Sequence, residues 1–177
     1  KHDLNYAPFT FVGTEMQVNE EISVQTSEGT FQSRIGGYID RLDSKDGTLR
    51  IVDYKTGGKA DTPANVASLL IPDKKRSNHV FQTFLYASII CRKQSMKVAP
   101  SLLYINRAAS EQYSPVVCLK EPRKAEIPVM DFSIYEEEFR NELHQLLSEI
   151  FNKDINFEQT SIEEKCAYCD FKEISKK

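Results

Sequence analysis

No stretch of 18 consecutive apolar residues occurs anywhere in the 177 residues, so no transmembrane helix is expected. The N-terminus lacks the basic-then-apolar pattern of a secretory signal. There is no Gly-rich phosphate loop, which excludes a P-loop motor from this stretch of chain. No internal repeat or low-complexity segment is visible. Cysteine is scarce. Four in a chain of this length do not suggest a disulfide framework, and a reducing cytoplasm is the expected setting. Hydrophobic residues make up 40% and charged residues 28%, enough for one hydrophobic core. One domain is therefore expected over residues 1–177, with a core from 9 to 153 and a tail from 160 to 177.

What the chain does have is a pair of aspartates placed by a tight turn. Gly37-Tyr38-Ile39-Asp40-Arg41 is followed by Ile51-Val52-Asp53-Tyr54-Lys55-Thr56-Gly57, with Asp46-Gly47 between them. Asp-Gly between apolar runs is the strongest short-range hairpin signal a sequence offers. If it closes a two-residue turn, Lys45 pairs with Thr48. Counting outward puts Asp40 opposite Asp53. Side chains alternate along a strand, so Lys55 shares the face of Asp53. Directly opposed Cβ atoms lie about 4.5–5.5 Å apart, and like charges there repel. A divalent cation between them reverses that penalty, and hard oxygen ligands suit Mg²⁺ or Mn²⁺. A lysine two residues along can orient a water or neutralise charge developing on a phosphate. The pattern reads as metal-dependent phosphodiester hydrolysis. Any single Asp-x-Lys in a half-buried strand is more often a solvated face, and a bulge would move Asp40 off the pair.

The two blocks resemble the nuclease domains of the RecB and AddB type, within the PD-(D/E)xK superfamily. Gly37, Asp40, Arg41, Asp43, Asp53, Tyr54, Lys55, Thr56 and Gly57 carry the resemblance. Gln82 and Tyr86 add the Gln-x-x-x-Tyr signature of that branch. The resemblance implies an α/β restriction-endonuclease-like fold, a central mixed β-sheet flanked by helices. It implies a metal-dependent deoxyribonuclease of exonuclease type, acting on DNA and working with a helicase in double-strand break repair. Asp40, Asp53 and the Tyr54 main-chain carbonyl would bind Mg²⁺ or Mn²⁺, and Lys55 would serve the attacking water. Gln82 and Tyr86 would guide the DNA strand.

Two departures from that family matter. Its members carry a histidine on a helix well upstream of the first aspartate. Here only 39 residues precede Asp40, and His2 is the one histidine among them. The chain begins with Lys1 and its first methionine is Met16, so a fragment is expected. The tail, Cys166-Ala-Tyr-Cys169 and onward to Ser175, resembles a Cys-x2-Cys-x5-Cys iron–sulfur motif with serine in the third place. Two thiolates do not close a cluster that normally needs four, so none is expected. The rival reading is a catalytically inactive DNA-binding module of a repair complex.

Net charge is -3, but residues 50–107 hold ten Lys or Arg against three Asp, a balance of +7 beside the paired aspartates. That suits a phosphate backbone, or simply solvates loop and helix ends. Phe9–Val12 and Met16–Gln25 read as extended, with Val18, Ile22 and Val24 inward. The patch from Val66 to Ile71 reads as a short helix or a flap over substrate. Ser77 reads as the N-cap of a helix running to Lys93, with Phe81, Phe84, Leu85 and Ile89 facing the core. His79 falls on the stripe of Gln82 and Tyr86. Val98–Asn106 and Tyr113–Leu119 read as a second strand pair. Ser133 to Glu136 reads as a capping box opening a final long helix. Cys91 and Cys118 read as buried, and His144 as a surface residue.

Overall fold

The computed structural model describes residues 2–58, 62–72, 76–110, 112–167 and 169–175. A short helix α1 (His2–Tyr6) leads into two long strands, β1 (Thr10–Thr26) and β2 (Gly29–Lys45), and then β3 (Thr48–Lys55). Helix α2 (Asn78–Lys93) crosses over to β4 (Lys97–Tyr104). Beyond it come a two-residue ladder, β5 (Cys118–Leu119) with β6 (Ile127–Pro128), and helix α3 (Glu136–Ile150). Two short helices, α4 (Glu163–Ala167) and α5 (Lys172–Ser175), end the chain. The main sheet runs β1-β2-β3-β4, antiparallel except for the parallel β3–β4 pair. It is a mixed sheet flanked by helices, an α/β fold. Among the described residues, no helix is long and apolar enough to cross a membrane.

Lys45 pairs with Thr48, and the ladder continues to Arg41↔Val52. Asp46 (φ 49°) and Gly47 (φ 76°) both take the positive φ that a two-residue hairpin turn of this hand requires. Glycine adopts it without cost, and Asp tolerates it better than most residues. The parallel β3–β4 pair requires a crossover, and α2 supplies it. The Ser77 hydroxyl accepts from Val80 N, as an N-cap should. Phe84, Ala87 and Ile89 are fully buried on the sheet, and Phe84 meets Phe132 and Phe139 edge-on.

Thr10–Val12 and Met16–Gln25 are extended as expected, and continuous. Together they form one 17-residue strand that absorbs an irregularity between Phe11 and Gly13 rather than breaking. Val18, Ile22 and Val24 do face the core. Other expectations need correcting. The patch from Val66 is no flap, because Val66, Leu69 and Leu70 are buried around a single 3₁₀ turn. Tyr113–Leu119 runs along the β4 edge through Leu102 N→Pro115 O (2.8 Å) and Val117 N→Pro100 O (3.1 Å). Only Cys118–Leu119 is regular strand, because Pro115 has no N–H to offer a ladder. The capping box does not form. Asp131 takes the Ser133 N–H (3.1 Å) and caps a 3₁₀ turn, Phe132–Ile134, so α3 starts later from Tyr135 without a side-chain cap. Cys91 and Cys118 are half-buried rather than buried. His144 is likewise half-buried, and burial lowers its pKa.

Candidate active site

The β2–β3 ladder stops at Arg41↔Val52, and the residues just past its end define the site. One residue further out, the same count would bring Asp40 to Asp53, and the Asp40 charge is felt at the Asp53 carboxyl. The Tyr54 N–H, where the next ladder bond would form, donates to Asp40 Oδ2 at 2.7 Å. A strand residue directs its N–H and C=O to the same side. The Tyr54 carbonyl therefore turns toward Asp40 as well. Strict alternation lapses here too, since Ile39 and Leu42, three residues apart, are both in the core.

Asp53 is only 3% exposed. Burial pushes its carboxyl pKa up, the Lys55 ammonium pulls it down, and the Asp40 charge pushes it up again. Lys55 Nζ lies 2.5 Å from Asp53 Oδ2 and donates to Gln82 Oε1 at 3.1 Å. Gln82 Nε2 in turn donates to the Tyr86 hydroxyl at 3.1 Å. Gln82 and Tyr86, one helical turn apart, thus form a relay from the helix to the lysine. Tyr86 reaches this position only because residue 37 has no side chain. A Cβ on Gly37 would sit 2.4 Å from the Tyr86 oxygen. The residues singled out by the hairpin count and those singled out on α2 are one connected chain of contacts.

The same geometry bears on a divalent cation. Lys55 is the ammonium on Asp53, and burial together with the Asp40 charge still holds the Asp53 carboxyl above its ordinary pKa. Asp40, Asp53 and a main-chain carbonyl are hard oxygen donors, so the residues present fit Mg²⁺ or Mn²⁺. Among the described residues, no group of three or more His, Cys, Asp or Glu side chains comes together. The His2 side chain lies outside the described residues.

Some expected contributors lie elsewhere. Arg50 is buried against Asp43 on the opposite face of the hairpin. Arg92 pairs with Glu20 (3.9 Å), and Lys93 donates to Asn19 O (2.8 Å), both at the far end of α2 from His79. These three of the ten cations support the fold rather than a phosphate track. Lys59, Lys74 and Lys75 lie outside the described residues. Cys166 and Cys169 are free and joined by a turn, Cys169 N→Cys166 O at 3.1 Å, while the Ser175 side chain lies outside the described residues.

Sequence reasoning missed Tyr104. It is fully buried at the end of β4, in register with Lys55, and its hydroxyl lies 2.9 Å from His79 Nδ1. The missing signal was the parallel crossover, because only that register brings residues 55 and 104 together. Compared with curated proteins individually, the chain finds no match. The family model of the PD-(D/E)XK nuclease superfamily matches residues 1–174, nearly the whole chain. The chain therefore belongs to that superfamily of nucleases.

Proposed function

We propose that residues 1–177 act as one nuclease domain of the RecB/AddB type. It hydrolyses DNA phosphodiester bonds in an exonuclease mode with Mg²⁺ or Mn²⁺, within a helicase–nuclease system of double-strand break repair. The observation that carries this reading is the charge imbalance at Asp40, Asp53 and Lys55, which a divalent cation would offset. Asp40, Asp53 and the Tyr54 carbonyl would hold the cation. When bound, it lowers the pKa of a water and takes up charge as it builds on the phosphate.

The other steps belong to the protein's own side chains. Lys55 Nζ, held between Asp53 Oδ2 and Gln82 Oε1, directs its remaining hydrogen toward the attacking water or the phosphate. Gln82 is half-exposed and spans the lysine and the DNA strand it guides. Tyr86 is 6% exposed, so it acts on the strand through Gln82 rather than by stacking on a base. The Cys166–Cys169 tail is proposed to carry no iron–sulfur cluster.

Purified chain incubated with single- and double-stranded DNA and either cation tests the reading, with Asp53→Asn as control. Cation-dependent cleavage lost in the variant supports it. Binding of DNA without cleavage under every cation would convert the reading to a DNA-binding module.

A further inference from the structure

His79 and Tyr104 stand at the site and have no part in the hydrolytic roles given to Asp40, Asp53, Lys55, Gln82 and Tyr86. His79 lies at i−3 from Gln82 on the same stripe of α2, and Tyr104 is the β4 partner of Lys55. Helix and strand thus bring an imidazole and a phenol to the end of the sheet that holds Asp53 and Lys55. His79 is near enough for a charge on its ring to be felt at Asp53.

Tyr104 is 0% exposed, and a buried phenol needs a hydrogen-bond partner. His79 Nδ1 provides one at 2.9 Å. The ring then turns Nε2 away from Tyr104. Among the described residues Nε2 has no partner, and the His79 side chain is only half-buried. The lysine beside it is already shared between Asp53 and Gln82. A phosphate diester offers acceptors only, so the site has use for a further donor.

We infer that Tyr104 donates its hydroxyl hydrogen to His79 Nδ1, which keeps the imidazole proton on Nε2, and that Nε2–H donates to a non-bridging phosphate oxygen of the bound DNA strand. This rests on the nuclease reading. His79 is then a substrate-contacting residue, and Tyr104 is a positioning residue that acts through it. The opposite tautomer would present a lone pair to the phosphate and repel it.

Three measurements test this. Long-range ¹H–¹⁵N NMR of the histidines should show His79 protonated at Nε2 in the wild type, and a mixture of tautomers in Tyr104→Phe. A proton fixed on Nδ1 overturns the inference. The second measurement is binding of a short single-stranded oligonucleotide, followed by fluorescence anisotropy without added metal. His79→Gln, whose amide reaches the place of Nε2, should bind within about threefold of wild type. His79→Asn, whose amide stands in the place of Nδ1, should bind about 10- to 100-fold more weakly, the range for losing a hydrogen bond to a charged group. Cleavage in Mn²⁺ should show the same order, with the loss in KM larger than in kcat. If both variants bind and cleave like wild type, the phosphate contact is wrong while the nuclease reading stands. If wild type neither binds nor cleaves DNA, the nuclease reading fails and takes the contact with it. Thermal melts show whether each variant is folded, and a folded Tyr104→Phe with unchanged His79 spectra also overturns the inference.

Discussion

The β2–β3 hairpin carries a charge cluster on each face, and the two are built to different rules. On the back face, Asp43 is fully buried between two guanidiniums. Arg50 grips it with Nε on Oδ1 (2.9 Å) and Nη2 on Oδ2 (2.8 Å), and Arg41 Nη2 adds a third contact at 2.8 Å. Asp3 reaches in from α1 to Arg41 at 2.7 Å, while Tyr6 and Phe9 cover Arg50 with their rings. Two carboxylates meet two guanidiniums, and aromatic faces close the cluster off. On the front face, two carboxylates meet one ammonium, and burial raises the pKa of Asp53. A balanced, covered cluster serves the fold. An unbalanced one at the open end of a ladder is the arrangement a cation site needs.

The strongest way to break this comparison is to remove the front-face carboxylate. Asp53→Asn should abolish cation-dependent cleavage, a loss on the order of 10³-fold or more if the cation supplies several kcal/mol. Stability should stay within about 1 kcal/mol, because an amide replaces a carboxylate that burial already disfavours. Calorimetric Mn²⁺ binding should vanish in the same variant. Equal Mn²⁺ binding by both proteins would remove Asp53 as a ligand. Lys55→Ala should lower kcat by roughly 10²–10³-fold, as expected for loss of one group aimed at developing charge, with DNA affinity largely kept.

The back face should give the opposite signature. Asp43→Ala leaves two buried guanidiniums without their shared partner and should cost about 3–5 kcal/mol in a urea unfolding curve. If the loss were under about 1 kcal/mol, the typical worth of an exposed ion pair, the cluster would not be the closed structural unit described. Gly37→Ala comes next. Its Cβ would meet the Tyr86 oxygen at 2.4 Å, so the tyrosine must shift and carry Gln82 with it. About 1–3 kcal/mol of overpacking strain is expected. Cleavage should fall by about tenfold through Lys55, since small displacements of positioned groups are costly. Thermal melts and single-turnover assays separate the two effects.

Legibility in the sequence depended on which interactions are local. The hairpin register from Lys45↔Thr48 to Arg41↔Val52 required only a turn and a count of four along each strand, and Asp46-Gly47 fixed both. The α2 stripe required only helical spacing and a cap at Ser77. The back-face cluster was not legible, although Asp43, Arg41 and Arg50 lie in the same hairpin. Asp3 and Tyr6 come from a five-residue helix with too little periodicity to place. Tyr104 depended on a parallel register that no local pattern encodes. Ser133 misled because a capping box looks the same whether or not a stronger acceptor, here Asp131, stands just upstream.

The smallest effect asks whether the two faces communicate. Tyr54 sits between Asp53 and Lys55 in sequence but on the back side of the strand, and its hydroxyl accepts from Arg41 Nη1 at 3.2 Å. That side-chain contact joins the arginine cluster to the segment carrying the site. Arg41 keeps Asp3 and Asp43 when the hydroxyl is removed. Tyr54→Phe should therefore cost no more than about 1 kcal/mol, the usual net worth of one hydrogen bond. The ring is also 38% exposed, which leaves water able to replace the lost partner. The Tyr54 N–H, which donates to Asp40, and the Tyr54 carbonyl are main-chain groups and are unchanged by the substitution. Cleavage should then stay within about twofold of wild type, well inside one kcal/mol of barrier. A tenfold fall with an unchanged melting temperature would show that the arginine cluster sets the position of β3 at the site, and that the two faces are one unit rather than two.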